Sequence, residues 1–165
     1  MGNYTLKPNL FIVGFDEIIT KGREFCGSNS SSVKPFSALK VLRFEHMMKW
    51  EEWISFGDKN GGGALSQLEE LYIRKCPKLT GVLPIHLPSL AKLEICGCPQ
   101  LVSPLPRTHA IRELELSYCN EMLKELPTGM QKLKIEGFNG LESLPEGMID
   151  SNGGILDSHY WNGLS

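Results

Sequence analysis

The residues able to do chemistry in this chain are cysteines, histidines and neighbouring glutamates, and their spacing decides what they can do. Cys76, Cys98 and Cys119 stand 22 and 21 residues apart, and Cys96 makes a Cys-x-Cys pair with Cys98. A structural zinc site wants paired cysteines about two to four residues apart on both sides. Here there is one such pair, and the other thiols follow a longer period. That period makes them packing residues, each bonded to the backbone of the turn beside it, and no metal is expected. The total of five cysteines is odd, which argues against a disulfide framework and for a reducing compartment.

Catalytic chemistry finds no constellation. His46, His86, His109 and His159 are scattered, and none forms a motif with a nucleophile. Glu51-Glu52 and Glu69-Glu70 are adjacent carboxylates, but adjacent strand positions point to opposite faces, whereas paired acid and base must share one. No catalytic residue is expected, and no enzyme activity. Trp50, Trp53 and Phe56 could form an aromatic recognition patch, but at a spacing of three they read as cover for a core.

The period of the cysteines belongs to a longer pattern. Leu68-x-x-Leu71-x-Ile73-x-x-Cys76-Pro77-x-Leu79 returns as Leu90-x-x-Leu93-x-Ile95-x-x-Cys98-Pro99-x-Leu101. It continues as Ile111-x-x-Leu114-x-Leu116-x-x-Cys119-Asn120-x-Met122 and Met130-x-x-Leu133-x-Ile135-x-x-Phe138-x-x-Leu141. Two wider copies precede these, Leu10-Phe11-Ile12-Val13-Gly14-Phe15 and Leu39-x-x-Leu42-x-Phe44-x-x-Met47-x-x-Trp50. The steps between strands are 32, 29, 22, 21 and 19 residues. Leu83-Pro84, Leu105-Pro106, Leu126-Pro127 and Leu144-Pro145 run in phase as a second marker. Proline cannot donate to a ladder and suits the arc between strands.

This is the signature of a leucine-rich repeat, an α/β-type solenoid. It predicts short parallel strands on a concave face, irregular or 3₁₀ arcs on the convex face, and very little helix. The Leu-x-Ile alternation puts both apolar side chains on one face, and one coil buries that face only by stacking on the next. About six repeats span 10–149. Residues 1–9 are an unpatterned lead-in, and 150–165 an unpatterned tail expected to be disordered.

The outward strand positions are the candidate binding surface. The column between the two core residues reads Phe11, Arg43, Tyr72, Glu94, Glu115, Lys134. The next reads Val13, Glu45, Arg74, Cys96, Ser117, Glu136, and the one beyond reads Gly14, His46, Lys75, Gly97, Tyr118, Gly137. Stacking brings equivalent positions to about 4.8 Å. Solenoids bind on this surface, and aromatics with arginine anchor interfaces. Arg43, Glu45, Tyr72, Arg74, Lys75, Glu94, Glu115, Tyr118, Lys134 and Glu136 are the candidate protein-binding residues. The competing reading is a solvated face with cross-strand pairs such as Glu115 with Lys134.

A net charge of −2 gives no bulk attraction to nucleic acid or membrane. No apolar run reaches the roughly 20 residues of a membrane helix. The first residues lack the basic and apolar regions of a signal peptide, so a cytoplasmic chain is expected, with Asn3-Tyr4-Thr5 and Asn29-Ser30-Ser31 as chance sequons.

Leu68 to Leu83, Leu87 to Leu101, Ile111 to Cys119, Leu141 to Gly147 and the Trp50-Glu51-Glu52-Trp53 block resemble the leucine-rich repeats of plant intracellular disease-resistance proteins. In those receptors a coiled-coil domain and an NB-ARC nucleotide-binding domain precede the repeats. The resemblance implies a recognition module in plant immunity. Its partner would be a protein: a pathogen effector, a host protein an effector alters, or a receptor's NB-ARC domain. The chain would act as a monomer without cofactor. Gly61-Gly62-Gly63 is followed by Ala64-Leu65 rather than by Lys and a hydroxyl, so no P-loop is present and nucleotide binding is not implied. The alternative is a truncated receptor fragment that is inactive, or a decoy or regulator of full-length receptors.

Overall fold

A computed structural model describes residues 9–14, 20–21, 38–53, 65–106, 108–119, 130–137 and 161–162. Each repeated Leu-x-Ile motif within that set is a five-residue strand: β1 Asn9–Val13, β3 Val41–Glu45, β5 Glu70–Arg74, β6 Lys92–Cys96, β7 Glu113–Ser117 and β8 Lys132–Glu136. Two-residue strands, β2 Thr20–Lys21, β4 Glu52–Trp53 and β9 Trp161–Asn162, complete the set. The main sheet is parallel throughout, in the order β1-β3-β5-β6-β7-β8-β9. The expected leucine-rich-repeat solenoid is the fold. The described arcs hold turns and coil, with neither helix nor 3₁₀ turn.

Register follows from the leucines. Leu42, Leu71, Leu93, Leu114 and Leu133 lie side by side, with Leu10 opposite Leu42. Phe44, Ile73, Ile95, Leu116 and Ile135 form the second line, starting at Ile12. A slip of one residue would turn both lines out to solvent. Leu71, Ile73, Leu93 and Ile95 are fully enclosed, and burying each contributes about 1.5–3 kcal/mol.

The markers after each strand close the coil. The Leu79 N–H donates to the Cys76 carbonyl, and Leu101 to Cys98, both at 3.2 Å. Pro77 and Pro99 hold the second position of those turns, where a fixed φ is favoured. The Cys119 thiol donates inward to the Ser117 and Ile95 carbonyls at 3.1 and 3.3 Å, and Cys98 to Cys96 at 3.5 Å. The Cys76 thiol donates to Arg74 at 3.3 Å. These thiols serve the turn backbone, as their spacing suggests. Burial pushes the Cys119 thiol up to about 12, so it stays protonated at neutral pH.

The wider arc after β3 is filled by aromatics. Phe44, Trp50 and Trp53 pack with ring centroids 4.6, 5.2 and 5.4 Å apart. Both tryptophans are buried, so they are core; Phe56 lies outside the described residues. β4 pairs with β2 in a separate two-stranded sheet, and Thr80 bridges to Glu52. Leu83-Pro84 and Leu105-Pro106 are buried, and the Leu83 N–H donates to Ser103 Oγ of the next coil at 2.8 Å. Leu126-Pro127 and Leu144-Pro145 lie outside the described residues. In the segment read as a tail, Trp161–Asn162 pairs with Ile135 and Glu136 as β9.

Candidate protein-binding surface

Strict register turns the outward positions into columns. Phe11, Arg43, Tyr72, Glu94, Glu115 and Lys134 are successive partners, as are Val13, Glu45, Arg74, Cys96, Ser117 and Glu136. Both columns are assembled as the sequence implies.

The third column is held by an unusual backbone. Gly14, His46, Lys75, Gly97, Tyr118 and Gly137 all have positive φ, between 50° and 69°. Each strand ends here while its next N–H still pairs outward. His46 donates to the Arg74 carbonyl, Lys75 to Cys96 and Tyr118 to Glu136, at 2.8 to 3.0 Å. Glycine adopts this conformation freely, whereas other residues are held there at a cost of about 1–2 kcal/mol. At Gly137 a side chain is also excluded sterically, because an added Cβ would come within 2.5 Å of the Tyr118 ring.

The first half of the face is a stack of rings and cations. The Arg43 guanidinium lies over both neighbours, 5.4 Å from the Phe11 ring centre and 4.5 Å from Tyr72. Arg74 and Lys92 also approach Tyr72, at 5.6 and 5.5 Å. Such contacts contribute about 0.5–2 kcal/mol each. Tyr72 is 7% exposed, and its hydroxyl donates to Glu70 Oε2 at 2.6 Å. Burial first, then that bond, raises the Tyr72 pKa.

The second half is a ladder of ion pairs. Arg74 Nε donates to Glu94 Oε1, and that hydrogen bond raises the arginine pKa further. Lys134 Nζ donates to Glu115 Oε1, which raises the lysine pKa. The Tyr118 hydroxyl donates to Glu136 Oε1 at 3.1 Å, and this bond is the first cause of its raised pKa. Glu94 is only 6% exposed. Tyr72 and Glu94 therefore lie covered by neighbours, where the alternation alone implies solvent.

The face extends one column beyond those the repeat pattern picks out. Residues two positions before the middle column share its face, and there Glu70, Lys92, Glu113 and Lys132 are successive partners. Lys92 and Lys132 stand 3.4 and 3.9 Å from Glu113. The signal was the alternating charge just before each first core leucine.

Among the described residues, Glu70, Glu94, Glu113, Glu115 and Glu136 on these columns are engaged as above, while Glu45 has only His46, at 3.7 Å, an ion pair when that imidazole is protonated. Arg74, Lys92, Lys132 and Lys134 are likewise engaged. Among the described residues, Arg43 and Lys75 face no acid, and Arg43 Nε is buried without a hydrogen-bond partner. The arrangement suits recognition of a surface, with two cations, Arg43 and Lys75, unmatched by acids in the first half, beside Glu45 and Glu70, which no Lys or Arg neutralises among the described residues.

The disease resistance RPP13-like protein 1 of Arabidopsis thaliana is 31% identical over 157 residues, 87% of this chain. A second Arabidopsis disease resistance protein is 37% identical over 75 residues, 46% of this chain. The chain spans 15% of the length of the first and 5% of the second. No family model matches, and no solved structure does. The expected kinship is borne out: the chain is a homologue of plant disease-resistance proteins, matching a short segment of each.

Proposed function

We propose that this chain, a leucine-rich-repeat relative of plant disease-resistance proteins, is a recognition segment of an immune receptor. It senses a pathogen effector or an altered host protein through the concave face of its sheet. The observation that carries the reading is the unequal saturation of that face: among the described residues the acids of β6 to β8 are engaged, while Arg43 and Lys75 face no acid. Kinship with disease-resistance proteins supplies the biological setting. The chain works by binding rather than catalysis, as a cytoplasmic monomer.

The test is co-immunoprecipitation from leaves expressing the full chain with individual cloned effectors and host targets. A chain carrying Arg43→Glu, Arg74→Glu and Lys75→Glu serves as the comparison. One partner is expected to be retained by the native chain and lost by the triple variant. Undiminished retention by the variant would refute the concave face as the reading surface. Retention of a receptor's nucleotide-binding domain, with no effector or host target held, would make the chain a regulator of full-length receptors instead.

A further inference from the structure

We propose that the Phe11-Arg43-Tyr72 stack is a carboxylate-reading site for an acidic, extended peptide segment of the protein partner; this rests on the recognition reading above. The guanidinium is fixed in place by two rings, so its donors are set before a ligand arrives. Its Nε is buried and meets no acceptor of the chain, so no carboxylate of the protein itself holds this guanidinium, and a ligand would be read by its terminal nitrogens. Arginine's planar fork matches a carboxylate in bidentate fashion. Lys75, exposed at the end of β5, adds a second cation free of acids among the described residues.

The surroundings select the ligand's charge and its other side chains. Glu45 and Glu70 share this half of the face, so a doubly charged phosphate would meet up to about twice the repulsion that one carboxylate does. Phe11 and Val13, both on β1 and so on one flank of Arg43, are 55% and 52% exposed and offer apolar contact beside the cation. The ligand therefore alternates acidic and aliphatic residues. The second half of the face cannot serve it, because the lysines there are held by Glu113 and Glu115.

Fluorescence anisotropy of the full chain with a short labelled peptide of alternating aspartate and leucine tests this. Its asparagine counterpart and a phosphoserine counterpart are the comparison probes. The aspartate peptide is expected to bind, with the asparagine peptide weaker by about tenfold, the scale of a lost charge-assisted pair. Arg43→Met, which keeps the stem over the rings, is expected to weaken binding as much. Arg43→Lys, which keeps the charge and loses the fork, should fall between, while Lys132→Gln leaves binding unchanged. A thermal melt of each variant separates lost recognition from lost folding, and Lys75→Gln, expected to weaken binding less, provides a reading should Arg43→Met unfold. Equal binding of the aspartate and asparagine peptides, no binding of the aspartate peptide, or tighter binding of the phosphoserine peptide would each overturn the proposal. None of these bears on capture of a folded partner by the concave face, which the leaf experiment decides separately.

Discussion

The two halves of the polar face are built on one spine and satisfied in different ways. Over β6 to β8, charges are matched within the sheet: Glu94 with Arg74, Glu113 with Lys92, Glu115 with Lys134. Over β1 to β5, the cations lean on rings, which soften a positive charge without neutralising it. An ion pair closed on itself has little left for a ligand, while a cation on an aromatic face keeps its donors. Identical backbone columns thus yield a self-satisfied half and a receptive half, and side-chain choice alone makes the difference.

The largest effect that could blur this comparison comes from beneath it. Leu71→Ala removes a fully enclosed side chain between two paired strands and should destabilise by about 2–5 kcal/mol in a urea melt. Leu133, in β8 and 7% exposed, should lose less on the same change. Equal losses would mean that Leu133 is packed as tightly as Leu71, and two separate unfolding transitions would mean that the coils do not share one spine.

Next comes the boundary between the halves. Arg74→Met leaves Glu94 buried without its cation, and should cost about 1–3 kcal/mol. The double variant with Glu94→Gln should recover part of that loss. Non-recovery in the double-mutant cycle would show that the pair is not coupled.

Alkaline titration sharpens the contrast between the two tyrosines. The Tyr72 pKa is raised above its ordinary 10.0, chiefly by burial. A raised folded-state pKa contributes stability that is complete below the unfolded value and lost as pH rises through the folded one. Stability should therefore decline above pH 10, and Tyr72→Phe should flatten that decline. Tyr118→Phe, at an exposed ring, should change it little. A native-like decline in Tyr72→Phe would assign it to other groups.

Smallest of all is Lys134→Gln. Its pair with Glu115 is about a third open to water and should contribute about 0.2–1 kcal/mol, fading in high salt. A larger, salt-independent loss would mean that the ladder carries structural weight.

Much of this was legible before any coordinates. The spine, the register, the inward thiols and the ordering of the columns follow from the Leu-x-Ile motif recurring with its turn marker in phase, because one motif repeated in every coil leaves a parallel sheet one alignment even where the arcs differ in length. The covering of Tyr72 and Glu94 was not legible. Alternation says which way a side chain leaves the strand, but burial here depends on how far the Arg43 and Arg74 stems reach across to their neighbours. The left-handed column was half visible: Gly14, Gly97 and Gly137 announce it, while His46, Lys75 and Tyr118 conceal it. The Glu70-Lys92-Glu113-Lys132 column escaped because the repeat pattern assigns those positions no residue type.

The most direct test of a receptive half beside a satisfied one is a two-dimensional amide NMR titration of the labelled full chain with the aspartate-leucine peptide. Shift changes should gather at residues 11–14, 43–46 and 72–75, and leave 113–118 and 132–137 in place. Changes centred on those last two segments, or spread evenly along the six long strands, would contradict the division.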